Sequence, residues 1–301
     1  MIGRFFMGNT IFTGAAVATI TPFRNDGSVD LMRYADFVDD LIQNGADAIV
    51  VNGTTGEAAT LSDEEQYNII CCVKDAVNRR VPLIAGAGSN NTFHAARLAL
   101  NARNAGADAV LCVTPYYNKG NENGILEHFN FIADRANLPV ILYNVPSRTG
   151  VNLKPEWIFR LADNPNIVAI KEASGNLSQV TKIRSLCGDR FDIYSGNDDV
   201  TVPVLSMGGK GVISVLGNLL PQAVHEICSL YFNGETAKAA DLQIHLLPLI
   251  EALFSDVNPI PVKEALKLIG KDSGTLRLPL APISVEKREA LKKVLQNQRL
   301  L

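Results

Sequence analysis

Lys171 closes the apolar run Asn166-Ile167-Val168-Ala169-Ile170, which lies between Pro165 and Ser174-Gly175. A run of that kind reads as a strand buried on both faces. An amine at its end can attack a carbonyl carbon and form a Schiff base. The competing reading is a lysine that snorkels out of the strand end or pairs with its neighbour Glu172. Other apolar runs also end in groups of complementary chemistry. Gly53-Thr54-Thr55-Gly56-Glu57 sets two hydroxyls between glycines, either as a plain tight turn or as a cradle of N–H groups for a carboxylate. Tyr143 begins Tyr143-Asn144-Val145-Pro146-Ser147-Arg148-Thr149-Gly150, which offers a phenol for proton transfer and, in Arg148, a guanidinium that is either solvated or aimed at an anion. Tyr116-Tyr117 reads as core packing or as further acid/base groups, and Ser195-Gly196-Asn197-Asp198 adds a carboxylate.

These groups share a setting. Strand-like runs occur at 15–20, 48–51, 83–85, 109–113, 140–143, 167–170, 192–194 and 212–215, and amphipathic stretches at 31–43, 63–77, 93–104, 125–136 and 177–186 lie between several of them. Ser62-Asp63-Glu64-Glu65 is a capping box that opens a helix, and Gly45 and Gly106 stand where C-terminal caps belong. The helix–turn–strand segment Asn44-Gly45-Ala46-Asp47-Ala48-Ile49-Val50 is echoed by Ala105-Gly106-Ala107-Asp108-Ala109-Val110-Leu111. Repetition of one βα unit predicts an α/β fold, an eight-stranded (β/α)8 TIM barrel whose active site sits at the C-terminal ends of the strands. Beyond Val215 the pattern turns to helices only, at 222–232, 235–253, 262–269 and 285–296. A boundary near Asn218 divides the chain into a catalytic barrel, 1–218, and a C-terminal helical subdomain, 219–301.

Composition narrows the function. With 301 residues, 47% hydrophobic and a formal net charge of −3, the chain can bury a large core and has no charge excess for nucleic acid or a membrane surface. Residues 286–299 alternate charge with Leu291, Val294 and Leu295, as in a solvated amphipathic helix. Residues 1–7 lack the sustained apolar core of a leader, and no run is long enough to span a bilayer, which together predict a cytoplasmic protein. Five scattered cysteines without a C-x-x-C pair read as reduced core thiols. Four histidines without ligand spacing predict no metal, and nothing calls for a cofactor. The glycine-rich run Met207-Gly208-Gly209-Lys210-Gly211 lacks phosphate-loop spacing and precedes the eighth strand, away from the site.

Gly53-Thr54-Thr55-Gly56-Glu57, the segment from Tyr143 to Gly150, and Ile170-Lys171-Glu172-Ala173 together resemble the motifs of the dihydrodipicolinate synthase family. The likeness runs from about Phe12 to the C-terminus and takes in Asn258-Pro259-Ile260-Pro261-Val262-Lys263 and Leu276-Arg277-Leu278-Pro279. It implies a Schiff-base lyase of lysine and diaminopimelate biosynthesis that joins pyruvate to L-aspartate 4-semialdehyde through Lys171. The alternative is a sugar-acid aldolase such as an N-acetylneuraminate lyase or keto-deoxy-gluconate aldolase, which share the lysine and tyrosine but generally lack the arginine that is here Arg148. By the same resemblance Tyr143 is the acid/base, Thr54 and Tyr117 complete its proton relay, and Tyr117 acts across a subunit interface. Thr55 holds the pyruvate carboxylate, Arg148 the carboxylate of the semialdehyde, and the backbone of Gly196 and Ile213 lines the pyruvate pocket. A homotetramer, as a dimer of dimers, is implied as well. Lysine-sensitive members carry histidine and glutamate where this chain has Asp63, Gln66 and His94, so little or no inhibition by free lysine is expected, although Asn90 and Tyr116 match.

Overall fold

The computed structural model describes residues 10–271 and 273–301, so the reading of residues 1–7 lies outside the described residues. Eight parallel strands, each paired with the next and β8 with β1, close a barrel: β1 (Gly14–Ala18), β2 (Ala48–Val51), β3 (Leu83–Gly86), β4 (Ala109–Val113), β5 (Val140–Asn144), β6 (Ile167–Glu172), β7 (Asp192–Ser195) and β8 (Gly211–Ser214). Each lies where an apolar run predicts it, with ends shifted by at most two residues. Alternation sorts the side chains between two cores. Small or inward groups such as Ala16, Ala48, Val50, Ala109, Leu111, Ile141 and Ala169 fill the barrel, while Ile49, Val51, Val110, Leu142 and Ile170 face the helices. Alanines dominate the interior because eight strands leave little width there.

The helical layer comprises α1 (Leu31–Gln43), α2 (Asp63–Val77), α3 (Thr92–Ala105), α4 (Glu122–Ala136), the single turn α5 (Pro146–Thr149), α6 (Pro155–Leu161), α7 (Leu177–Cys187), α8 (Thr201–Ser206) and α9 (Pro221–Phe232). The capping box at Ser62 and Glu65 is present, and Gly106 ends α3 in the left-handed region at φ 93°. α5, α6 and α8 were not anticipated; at four to seven residues they are too short to display a helical period.

α9 packs on β1, and His225 of α9 bonds Asp47, whose carboxylate also accepts the Ala15 N–H. Beyond it come α10 (Thr236–Leu253), α11 (Ile260–Leu268) and α12 (Val285–Asn297). Their apolar faces join one core with Ala15, Val212 and Val215 of the barrel and with Leu291 and Leu295 of α12. At the opposite end, Phe12 enters from below β1 and stacks on Tyr194 of β7 at 4.2 Å, and the tyrosine hydroxyl donates to the Phe12 carbonyl at 2.8 Å. Among the described residues no helix is long and apolar enough to cross a membrane. All five cysteines are free thiols; Cys112, Cys187 and Cys228 are buried and Cys71 and Cys72 half-buried.

Candidate active site

Parallel pairing sets Tyr143 directly opposite Lys171 across β5 and β6, and Lys171 opposite Tyr194 across β6 and β7. Lys171 shares its inward direction with Ala169, so its amine rises inside the barrel at the C-terminal end, 5% exposed. Its Nζ stands 4.6 Å from the centre of the Tyr143 ring. Room for it depends on Gly196, where a Cβ would stand 3.1 Å from Cγ of Lys171 and 2.5 Å from Cβ of Ala173.

Glu172 does not pair with Lys171; that reading is overturned by strand alternation, which sends adjacent side chains to opposite faces. Glu172 points outward and is buried, where it accepts from Asn144 Nδ2 at 2.9 Å, from Gln179 Nε2 at 3.1 Å and from the Ser174 N–H at 2.8 Å. Asn144 also accepts the Leu153 N–H at 2.9 Å, which folds the segment carrying Arg148 back onto β5. Among the described residues Lys171 has no ion-pair partner.

A cavity of about 360 Å³ opens above the amine. Lys171, Tyr143, Thr54, Thr55, Arg148 and Gly196 all line it. Arg148 sits on α5 at the exposed rim, and its guanidinium has no ion pair among the described residues, which suits it to a carboxylate. Ile213 is fully buried in the barrel interior and does not line the cavity, where Val215 two residues further on does. Tyr117 is not brought to this cavity. It stands on the loop after β4 at φ 67°, 91% exposed, and Tyr116 beside it is 39% exposed, so neither is core packing.

Three wall residues had no role in the sequence reading. Asp198 is buried beside Lys171; its carboxylate accepts from the Val215 and Leu216 N–H groups at 3.0 and 3.2 Å and from the Ser214 hydroxyl. Burial pushes its carboxyl above the usual carboxylate range, against the pull of Ser214, the two amides and the Lys171 charge. Glu251 of α10 and Asn258, between α10 and α11, close the side opposite β6. Asn258 Nδ2 donates to the Thr55 hydroxyl oxygen at 2.9 Å. Two residues further on in the loop, Glu57 at φ 55° forms a 2.6 Å ion pair with Lys263 of α11, both side chains at most 3% exposed. Burial holds the Lys263 amine below its usual range, with Glu57 opposing. No spacing in one dimension signals a contact between residues 55 and 258.

The chain matches the model of the family described as Dihydrodipicolinate synthetase family over residues 11–298. The 4-hydroxy-tetrahydrodipicolinate synthase of Caldicellulosiruptor saccharolyticus is 53% identical over 285 residues, which cover 95% of this chain and 96% of that protein. Dihydrodipicolinate synthase from Thermotoga maritima superposes with a TM-score of 0.94 at 42% identity, covering 97% of this chain and all of the other. A structure described as the first monomeric dihydrodipicolinate synthase variant also scores 0.94 at 42% identity, covering 97% and 98%. These relatives do not favour the sugar-acid aldolase alternative. The chain belongs to the dihydrodipicolinate synthase family.

Proposed function

We propose that this chain condenses pyruvate with L-aspartate 4-semialdehyde to 4-hydroxy-tetrahydrodipicolinate in lysine and diaminopimelate biosynthesis, with no cofactor. The observation that carries the reading is a buried amine against a tyrosine ring, with no direct ion pair among the described residues, in a cavity whose rim holds a guanidinium equally without one among them. Lys171 Nζ adds to the keto carbon, and loss of water leaves an iminium. Electron withdrawal by the iminium lets C3 give up a proton, and the resulting enamine forms the new C–C bond at the aldehyde carbon. The aldehyde oxygen takes a proton as that bond forms. The substrate's amine then attacks the iminium carbon, closes the ring and releases Lys171.

Tyr143 is positioned to carry the protons, with Thr54 completing the relay. Thr55 holds the pyruvate carboxylate, backed by Gly196 and Ile213, and Arg148 holds that of the semialdehyde. Tyr117, exposed and turned away from its own cavity, is offered to a second copy. The assembly that uses it is a dimer, paired into a homotetramer in the cytoplasm. Sedimentation of the purified chain would give the assembly state directly.

Borohydride reduction with pyruvate, followed by mass spectrometry of tryptic peptides, tests the central claim. Label on Lys171 with loss of activity is the expected result. Label on another lysine, or none, overturns it. Arg148→Ala should leave that trapping intact while weakening use of the semialdehyde; equal loss of both would remove Arg148 from its assigned role.

A further inference from the structure

We infer that Asn258 is a positioning residue that makes Thr55 a hydrogen-bond donor towards the first substrate's carboxylate, an inference that rests on the function proposed above. A threonine hydroxyl has one hydrogen and two acceptor lone pairs, so what its neighbours donate decides where its own hydrogen goes. Asn258 Nδ2 donates to Thr55 Oγ1 at 2.9 Å in a buried contact, with Thr55 3% and Asn258 6% exposed. One lone pair is thereby filled from behind, and the hydroxyl hydrogen is left for the cavity that both residues line. Turning the amide over would reverse this, since Oδ1 would then take the hydroxyl hydrogen for itself. It would also bury an amide nitrogen without acceptors, whereas the present orientation leaves only Oδ1 unpartnered, and carbonyls tolerate that better.

The orientation is held from outside the barrel. Asn258 stands two residues before α11, whose Lys263 pairs with Glu57, so the segment that begins at Asn258 grips the β2 loop at two points. Arg277 adds a third by donating its backbone N–H to Glu57 Oε2 at 3.1 Å. The hydroxyl that meets the ketoacid is therefore aimed by residues of the helical region, not by its own strand.

Asn258→Asp is nearly isosteric and can only accept, so it reverses the hydrogen bond. Steady-state kinetics should show the KM for pyruvate rising about tenfold to a hundredfold, the range for hydrogen bonds to charged groups. The semialdehyde KM, and kcat at saturating pyruvate, should hold within about threefold. Asn258→Ala should raise the same constant alone by a smaller factor, and it carries the test if the aspartate variant does not fold. In a Thr55→Val background either substitution should add little, because the two residues act as one unit. A uniform change in all constants, or full additivity with Thr55→Val, overturns the inference. If Thr55→Val itself leaves the pyruvate KM unchanged, the role given to Thr55 fails, a result separate from a failure of Asn258 alone.

Discussion

The two walls of the cavity are built in opposite ways. On one side Tyr143 and Lys171 are partners on adjacent strands, tied behind by Asn144 and Glu172, which are themselves the next pair in register. On the other side Thr55 sits on a loop that is held by Asn258 and Lys263, side chains about two hundred residues away in the chain. The first wall follows from strand pairing and survives anything that leaves the barrel closed. The second exists only when the C-terminal helices are docked. The proposed covalent centre thus rests on strand pairing, and the proposed substrate recognition on packing between distant parts of the chain.

The largest expected effect lies on the first wall. Tyr143→Phe keeps the ring against Lys171 but removes the hydroxyl, and turnover should fall by about 10²–10⁴-fold with thermal stability unchanged. Near wild-type turnover would show the ring to be only packing. On the second wall, Lys263→Met leaves the Glu57 carboxylate buried without its partner, which should cost about 3–5 kcal/mol of stability in a urea titration. Replacing both with Glu57→Gln and Lys263→Met should recover much of that loss, because the uncompensated charge is gone. If Lys263→Met unfolds at the wild-type urea midpoint, the second wall does not depend on the pair.

A pH titration separates both walls from the helical layer. His128 on α4 touches neither; its Nδ1 meets the Thr92 hydroxyl at 2.9 Å, and burial pushes the ring down to about 4. Because the folded value lies below the ordinary 6.5, its contribution is complete above pH 6.5 and drains away as pH falls through about 4. The loss, up to about 3 kcal/mol, should shrink in His128→Gln, as read from Tm against pH. An identical acid profile in both would exclude the ring as its source. The smallest effect concerns free lysine. Asp63 is already held by His94 at 2.8 Å and by Arg97 at 2.8 Å, and Ser89 contacts the other His94 nitrogen. The Asp63 carboxylate is thus already taken up, so rates should be unchanged as lysine rises to millimolar levels; strong inhibition would contradict this.

The same contrast explains what could be read from the sequence. Strands buried on both faces leave continuous apolar runs, so all eight strands were legible, with Tyr143 and Lys171 at the ends of consecutive ones, whereas their pairing in register was not. The outward turn of Glu172 was legible too, through alternation, once the register was known. Asp198 was visible only as one polar residue among several after β7, since its role depends on amides of Val215 and Leu216 that fold back from β8. Asn258 stood out only as part of a segment that carries the resemblance, and Glu251 not at all, because no periodicity links α10 and α11 to the β2 loop. Tyr117 was legible as a tyrosine after β4, but its exposure is a property of the folded loop.

The stacked pair Phe12 and Tyr194 helps to fill the barrel interior, and the cavity that holds Lys171 lies at the C-terminal ends of the strands. In the proposed reaction the ketoacid must descend to Lys171, while the aldehyde stops at Arg148 on the rim. With both reactants entering the same cavity, the order of arrival follows depth rather than affinity. An aldehyde that arrives first stands in the path of the ketoacid, and excess semialdehyde should therefore slow turnover in a way that added pyruvate relieves.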